Sequence, residues 1–128
     1  DLVLCPLVLD YIEDWEGVFG EFHRALRPSG CFVFSVGHPM ASYHFWNDGD
    51  YFATELVEAE WNSFGQPATI QSYRRPLGAI TSSLWKAGFE IEEMVESLPT
   101  EECKKKYPEK YQQLREEPLF LCVRAKKG

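Results

Sequence analysis

A histidine that directly follows an apolar segment is the first residue of this sequence that suits chemistry. His38 comes just after Cys31–Val36 and precedes a proline. An imidazole changes its charge near neutral pH, so it can accept a proton or hydrogen-bond a substrate. We therefore predict that His38 is a general base or a substrate contact; the alternative is a loop histidine bonded to the backbone. His44 and His23 rank below it.

Metal chemistry is not expected from this sequence. The four cysteines, at positions 5, 31, 103 and 122, form no C-x-x-C pair, so zinc spacing is absent. Cysteine in an apolar segment is usually a small buried hydrophobe, which fits a reduced, cytoplasmic protein. His38 and His44 do not make a convincing metal pair, and no metal ligand is assigned.

A long segment, 37–75, has no clear periodicity and is rich in aromatic residues. Segments of this kind are often functional loops or lids. We predict an aromatic wall over the substrate, with a small satellite core as the alternative; its residues are Tyr43, Phe45, Trp46, Tyr51 and Phe52. Glu55–Trp61 and Thr69–Arg75 flank a turn-rich stretch, which predicts a β-hairpin inside the segment.

The elements that position these residues begin with a β-α-β unit. Leu2–Cys5 and Cys31–Val36 are apolar, which predicts two buried strands, the second covered on both faces. Between them, the apolar residues of Glu13–Arg27 recur with a helical period. Two strands joined by such a crossover helix are expected to be parallel and right-handed.

The second part of the chain continues the alternation of helix and strand. The pattern predicts a helix at Pro76–Ala87, a strand at Phe89–Val95, short helices from Thr100 and from Pro108, and a last strand at Leu119–Lys126. An order of this kind is typical of an α/β fold with at least four sheet strands. The length of 128 residues suits a single domain, 1–128.

Composition and charge exclude several classes of protein. With 45% hydrophobic residues, the chain is not expected to be disordered. The 13 basic and 20 acidic residues give a net charge of −7, which makes nucleic acid an unfavourable partner. No apolar run approaches the roughly 18 residues of a membrane helix, so no membrane association is expected.

Four stretches of sequence, in this order, carry a resemblance to a known family. They are D-L-V-L-C-P-L-V-L-D-Y-I-E-D-W at 1–15, F-H-R-A-L-R-P-S-G-C-F-V-F-S-V-G-H-P at 22–39, Y-R-R-P-L-G-A-I-T-S-S-L-W-K-A-G-F-E-I at 73–91, and E-P-L-F-L-C-V-R-A-K at 117–126. Together they cover most of the chain. They resemble the second half of a class I S-adenosylmethionine-dependent methyltransferase domain.

The resemblance implies a fold and a function. The family has a doubly wound, Rossmann-like sheet of order 3-2-1-4-5-7-6 with strand 7 antiparallel. Residues 1–128 would hold a partial sheet, strands 4-5-7-6, with segment 37–75 as an inserted hairpin lid. The implied activity of the complete protein is methyl transfer from S-adenosylmethionine to an acceptor. The aromatic lid and the acidic surface favour a small-molecule acceptor over DNA or RNA.

The resemblance also implies roles for individual residues. The segment Cys5-Pro6-Leu7 matches the family's loop along the methionine and sulfonium of the cofactor. We expect it to contact the cofactor in a complete enzyme; the alternative is a strand end packed by apolar neighbours. Tyr11 follows in the same loop and is expected to line the substrate pocket, or else to pack on the helix. Arg74 matches a position before the next helix and is expected to hold an acidic substrate group, or else to form a surface salt bridge.

The sequence departs from the family pattern in one large respect. No G-x-G occurs, so the glycine-rich loop that approaches the cofactor is missing, and the chain alone is expected to lack a complete cofactor site. The sequence starts inside a predicted strand, and we expect further residues upstream. The edge of Leu2–Cys5 would then be open, and self-association of copies or a rearranged segment is expected to cover it.

Two other functions remain open from the sequence. The chain can be a non-catalytic interaction module or relic that keeps the half-sheet and binds a partner chain through its open edge. It can also be a different α/β binding domain that shares only the β-α-β rhythm. An antiparallel last strand favours the methyltransferase resemblance over this third possibility.

Overall fold

Two sheets and five helices make up the computed structural model, which describes residues 1–46 and 49–128. In chain order the elements are β1 (Leu2–Pro6), α1 (Trp15–Ala25), β2 (Cys31–Gly37), α2 (Pro39–Trp46), β3 (Glu55–Trp61), β4 (Ala68–Arg74), α3 (Leu77–Lys86), β5 (Phe89–Glu96), α4 (Glu101–Lys106), α5 (Pro108–Glu116) and β6 (Phe120–Lys127). A single 3-10 turn, Leu9–Tyr11, joins β1 to α1.

The larger sheet is mixed and has the strand order β1-β2-β6-β5. β1 runs parallel to β2, with Leu4 opposite Val33. β6 is antiparallel to both of its neighbours. The α/β class is therefore confirmed. The antiparallel last strand argues against a different α/β binding domain that shares only the β-α-β rhythm. The correspondence of these strands to 4-5-7-6 of the family stays a prediction.

The smaller sheet is the hairpin of β3 and β4, which pair antiparallel with Glu55 opposite Arg74. Its strands agree with the hairpin predicted inside segment 37–75 to within one residue. The function of this segment as a lid stays a prediction, and its positions 47 and 48 lie outside the described residues.

The core lies on one face of the larger sheet. The helical period of α1 places Trp15 and Phe19 against Phe32 and Phe34 of β2, with the Phe19 and Phe32 rings 5.0 Å apart. α3 adds two buried residues to the same core, Ile80 and Leu84. Asp14 caps the start of α1, because its Oδ1 accepts the N–H of Gly17 at 2.8 Å.

The burial predicted for β1 is wrong for one face of the strand, while Val3 and Cys5 on the other face pack half-buried against the core. Leu2 and Leu4 are 58% and 63% exposed, because β1 is the edge strand and the buried core lies on the opposite face of the sheet. Because the core lies on one face of the sheet, β2 is buried on that face and only half-buried on the other, at Val33 for example. Self-association of copies through the edge at residues 2–5 stays a prediction.

The pattern also missed an element and misplaced a side chain. Helix α2 lies inside the segment described above as irregular, and it begins at Pro39. The spacing of Leu77, Ile80, Leu84 and Trp85 predicts one packed apolar stripe on α3, but Trp85 is 77% exposed. The stripe that packs is the pair Ile80 and Leu84, four residues apart. Among the described residues, no helix is long and apolar enough to cross a membrane.

Candidate functional site

A cavity of about 530 Å³ opens at the carboxyl ends of β1 and β2. Four parts of the chain form its wall: the loop after β1, helix α2, the inner face of the hairpin, and helix α5 with the residues that follow it. The wall includes Leu7, Asp10, Tyr11, Gly37, His44, Phe45, Trp46, Ala59, Trp61, Tyr73, Arg74, Lys110 and Glu117. Ligands in open α/β sheets occupy this end of the strands.

The loop after β1 reaches the cavity through an unusual backbone conformation. Leu7 has a φ of 52°, a left-handed conformation that costs energy for a residue other than glycine. Its N–H donates to the carbonyl of Ser35 at 3.0 Å, which fixes the turn against β2. Of the three predicted cofactor contacts, Leu7 lines the cavity, Pro6 is exposed and Cys5 is half-buried at the end of β1.

Asp10 ties this loop to the end of β2. Its Oδ2 accepts the N–H of Gly37 at 3.0 Å, and both residues line the cavity. Burial raises the pKa of Asp10, while the Gly37 N–H and the nearby Arg75 guanidinium lower it, and burial outweighs them. The loop therefore places a desolvated carboxyl group at the wall of the cavity.

The raised pKa of Asp10 has a testable consequence for stability. A carboxyl with a raised folded-state pKa stabilises the fold in its protonated form, and this contribution is lost as the pH rises through that pKa. Asp10→Asn keeps an acceptor for the Gly37 N–H and carries no charge. We expect the variant to have a higher free energy of unfolding than wild type at pH 7, with the gain shrinking as the pH falls towards about 3.9, the ordinary pKa of aspartate.

Urea denaturation across this pH range measures the effect. Asp14→Asn, at the exposed cap of α1, removes one negative charge without relieving burial and is the matched control. A gain for Asp10→Asn that does not change with pH contradicts the expectation.

Arg75 anchors the same loop from the other side. Its side chain is 7% exposed, and its guanidinium lies 4.1 Å above the ring of Trp15 and donates to the Ile12 carbonyl at 2.7 Å. Burial lowers the pKa of Arg75 to about 10, so the residue remains charged at neutral pH. The sequence interpretation missed this residue; the available signal was the pair of arginines directly before the proline that precedes α3.

Arg74, the predicted substrate contact, lies at the end of β4 and lines the cavity. It is 4% exposed and forms an ion pair with Glu55, so it is a buried cation and not a surface salt bridge. The ring of Tyr43 lies 5.6 Å from its guanidinium carbon. The function of Arg74 in holding an acidic substrate group stays a prediction.

His38, the predicted general base, is 5% exposed and lies at the start of α2. Its Nδ1 accepts the N–H of Met40 at 3.2 Å, and its Nε2 is 2.7 Å from Oε1 of Glu96. With Nδ1 as acceptor, Nε2–H is the donor to the carboxylate. Both ring nitrogens thus have partners, Nδ1 at the start of α2 and Nε2 at the end of β5. The ring lies outside the cavity wall formed by the described residues.

His44, which ranked lower in the sequence, does line the cavity. Its Nδ1 is 2.8 Å from Oε1 of Glu117, the residue that follows α5. The two residues are 73 positions apart in the chain, so no local sequence pattern predicts their contact. It is a histidine–carboxylate pair in the wall of the cavity.

Part of the predicted aromatic wall is in place. Tyr11 and Trp46 line the cavity together with Phe45 and two residues of the hairpin, Trp61 and Tyr73. Trp46 is fixed by its Nε1–H, which donates to the carbonyl of Glu58 at 3.0 Å.

Three of the predicted aromatic residues do not contribute to the cavity wall as the described residues form it. The ring of Tyr43 packs against that of Tyr51, with their centroids 5.6 Å apart, and it also contacts the guanidinium of Arg74. Phe52 is 80% exposed.

The structure describes the potential metal ligands and the cysteines everywhere except at positions 47 and 48. Among the described residues, no group of three or more metal-ligating side chains is placed to hold an ion. The four cysteines are free and half-buried, so those predicted to be fully buried are more accessible than expected. A cytoplasmic location stays a prediction.

Comparisons with known proteins agree with this architecture. The model of a family described as a methyltransferase domain matches residues 1–34. The human thiol S-methyltransferase TMT1A is 36% identical over 62 residues, which are 48% of this chain and 24% of that protein.

Solved structures extend the similarity to nearly the whole chain. A protein from Listeria monocytogenes described as an S-adenosylmethionine-dependent methyltransferase has 26% identity and a TM-score of 0.84, over 99% of this chain and 61% of its own. An S-adenosylmethionine-dependent methyltransferase from Mesorhizobium loti has 26% identity and a TM-score of 0.71, over 98% and 61%. The chain therefore spans less than two thirds of the length of these relatives. Together with the mixed sheet, these similarities show that the chain has the class I S-adenosylmethionine-dependent methyltransferase fold.

Proposed function

We propose that the protein transfers a methyl group from S-adenosylmethionine to a small-molecule acceptor, and that residues 1–128 are the carboxyl-terminal half of its methyltransferase domain. The observation that carries the proposal is the cavity of about 530 Å³ at the carboxyl ends of β1 and β2, the end at which this class of fold binds ligands. Its volume lies in the range of about 300–1,000 Å³ that is usual for small-molecule sites.

The similarities support S-adenosylmethionine as the cofactor. When bound, it supplies a methyl group on a positively charged sulfur. We assign part of its binding to Cys5, Pro6 and Leu7, because Cys5 and Pro6 end β1 and lead directly into the left-handed turn at Leu7, which lines the cavity. The carboxyl of Asp10 and the ring of Tyr11 follow in the same wall, and both types of group attract a cation.

We assign the acceptor to the part of the cavity between α2 and the hairpin. Trp46, Trp61 and Tyr73 give this part an aromatic surface, and Arg74 adds a buried positive charge. Such a wall suits an aromatic or apolar molecule with an acidic group. Tyr43 then acts on the acceptor site indirectly, because its ring lies against the guanidinium of Arg74.

Filling the cavity from the hairpin tests this assignment. Ala59 of β3 faces the cavity, and its neighbour Glu60 is exposed on the other side of the strand. We expect Ala59→Trp to lower kcat/KM for a methyl acceptor at least 10-fold, because the indole occupies the acceptor space, while calorimetric binding of S-adenosylmethionine is unchanged. Glu60→Trp, the matched control, is expected to behave as wild type.

The assay uses the complete protein, of which residues 1–128 are a part, and follows radiolabelled methyl transfer to a panel of small thiols, phenols and carboxylic acids. Equal effects of the two tryptophan variants contradict the acceptor site. A protein that binds neither S-adenosylmethionine nor its demethylated product contradicts the proposed function as a whole and favours the non-catalytic interaction module.

A further inference from the structure

The histidine–carboxylate pair in the cavity wall fixes which nitrogen of the ring can act as a base. An ionised carboxylate only accepts hydrogen bonds, so the 2.8 Å contact between His44 Nδ1 and Glu117 Oε1 requires a proton on Nδ1. In the neutral ring the other nitrogen, Nε2, then carries a free lone pair. A carboxylate on one nitrogen and a bare second nitrogen is the arrangement that general bases of many enzymes share.

The bare nitrogen is available to a ligand. Nε2 of His44 has no hydrogen-bond partner in the part of the chain that the structure describes, and the ring lines the cavity beside Phe45 and Trp46. His38 differs on both counts, since its two nitrogens are bonded to Met40 and Glu96 and its ring lies outside the wall.

We propose that His44 is the general base of the reaction, that Glu117 is the positioning residue that orients it, and that the acceptor is a hydroxyl or thiol compound. This inference rests on the proposed function. Phenols and thiols with ordinary pKa values of about 10 and 8.5 are mostly protonated at pH 7, so they need a base to become strong nucleophiles.

The methyl transfer moves one proton and two electron pairs. The X–H bond of the acceptor breaks, and its proton goes to Nε2 of His44. The electron pair on oxygen or sulfur forms the new bond to the methyl carbon. The bond between that carbon and the sulfonium sulfur breaks, and its electron pair stays on the sulfur. Glu117 stabilises the imidazolium through Nδ1–H, and the proton later leaves to solvent.

Other ionisable groups face the same cavity and enter any pH profile. They are Glu117 and Lys110 from the α5 side, Tyr73 and Arg74 from β4, and Asp10 and Tyr11 from the loop after β1. Tyr43 of α2 lies outside the wall as the described residues form it, with its ring 6.2 Å from the ring of His44. The cations Lys110 and Arg74 favour the ionised form of an acceptor held between them and His44.

The tautomer of His44 provides a test that does not depend on activity. We expect nitrogen-15 NMR of the full chain to show the neutral His44 ring protonated at Nδ1. In Glu117→Ala the ring is expected to shift towards the Nε2–H form, because the acceptor at Nδ1 is gone. A wild-type ring that is protonated at Nε2 overturns the proposal.

The kinetic test compares His44→Asn with wild type across pH. We expect kcat at pH 7 to fall about 100-fold, in the range of general-base effects, with unchanged binding of S-adenosylmethionine. The defect is expected to shrink as the pH rises above the pKa of the acceptor, because the acceptor then ionises without help. His23→Asn, next to Phe89 and remote from the cavity wall, is the matched control.

The outcomes separate the two proposals. If wild type methylates a thiol or phenol and His44→Asn does so equally well at every pH, the base is overturned and the proposed function stands. If wild type neither binds S-adenosylmethionine nor transfers methyl groups, both are overturned.

Discussion

Replacing Trp15 by alanine is expected to lower the free energy of unfolding by about 3–5 kcal/mol, as for other large aromatic residues removed from a core. Trp15 is 2% exposed, and its ring lies 5.2 Å from Phe19 and 6.0 Å from Phe34. Its Nε1–H also donates to the carbonyl of Leu9 at 2.9 Å. The substitution leaves a cavity under α1 and removes the contact that holds the loop after β1.

Urea denaturation of the two proteins measures this loss. Trp85→Ala is the matched control, because the same side chain is removed from a position that is 77% exposed, where we expect a change within about 0.5 kcal/mol. Similar losses for the two variants contradict the placement of Trp15 at the centre of the core.

Substitutions of His38 are expected to show whether this residue caps α2 or acts in catalysis. His38→Ala removes the acceptor of the Met40 N–H and the donor to Glu96, and we expect the free energy of unfolding to fall by about 1–2 kcal/mol. His38→Asn supplies an oxygen that can cap α2 in the same way. We therefore expect His38→Asn to recover most of the stability and to retain methyl transfer.

The sequence assigned His38 as a general base, and that assignment predicts a different result. A catalytic His38 loses turnover in His38→Asn although the fold is kept. Parallel measurements of unfolding by urea and of kcat, on His38→Asn and His44→Asn together, decide between the two histidines.

The regular part of the fold follows from local patterns. The helical period of α1, from Trp15 through Phe19, identified the face that packs on β2, and the alternation around a turn identified the hairpin to within one residue. Helix α2 was missed because its apolar residues lie on all sides and leave no polar face, as the exposed Phe45 illustrates. The exposure of Leu4 depends on which strands neighbour β1, which a local pattern does not contain.

The site was predictable next to strand ends and in the aromatic-rich segment. Leu7, Tyr11, Trp46 and Arg74 line the cavity, and all four were named from the sequence. The contact of His44 with Glu117 joins the end of one helix to the end of another, 73 residues later. Position directly after β2 selects His38, which lies at the start of α2 and outside the wall formed by the described residues, whereas His44 lies in that wall.

The hairpin forms a sheet of its own, and in the described structure its strands pair only with each other. The residues that it presents to the cavity, such as Ala59, therefore lie on a framework whose hydrogen bonds are separate from those of the core. We expect exchange of such residues to reshape the cavity while Trp15 and Phe34 keep their places in the core. In the course of evolution, relatives can thus diverge in the compound they modify while they inherit one scaffold.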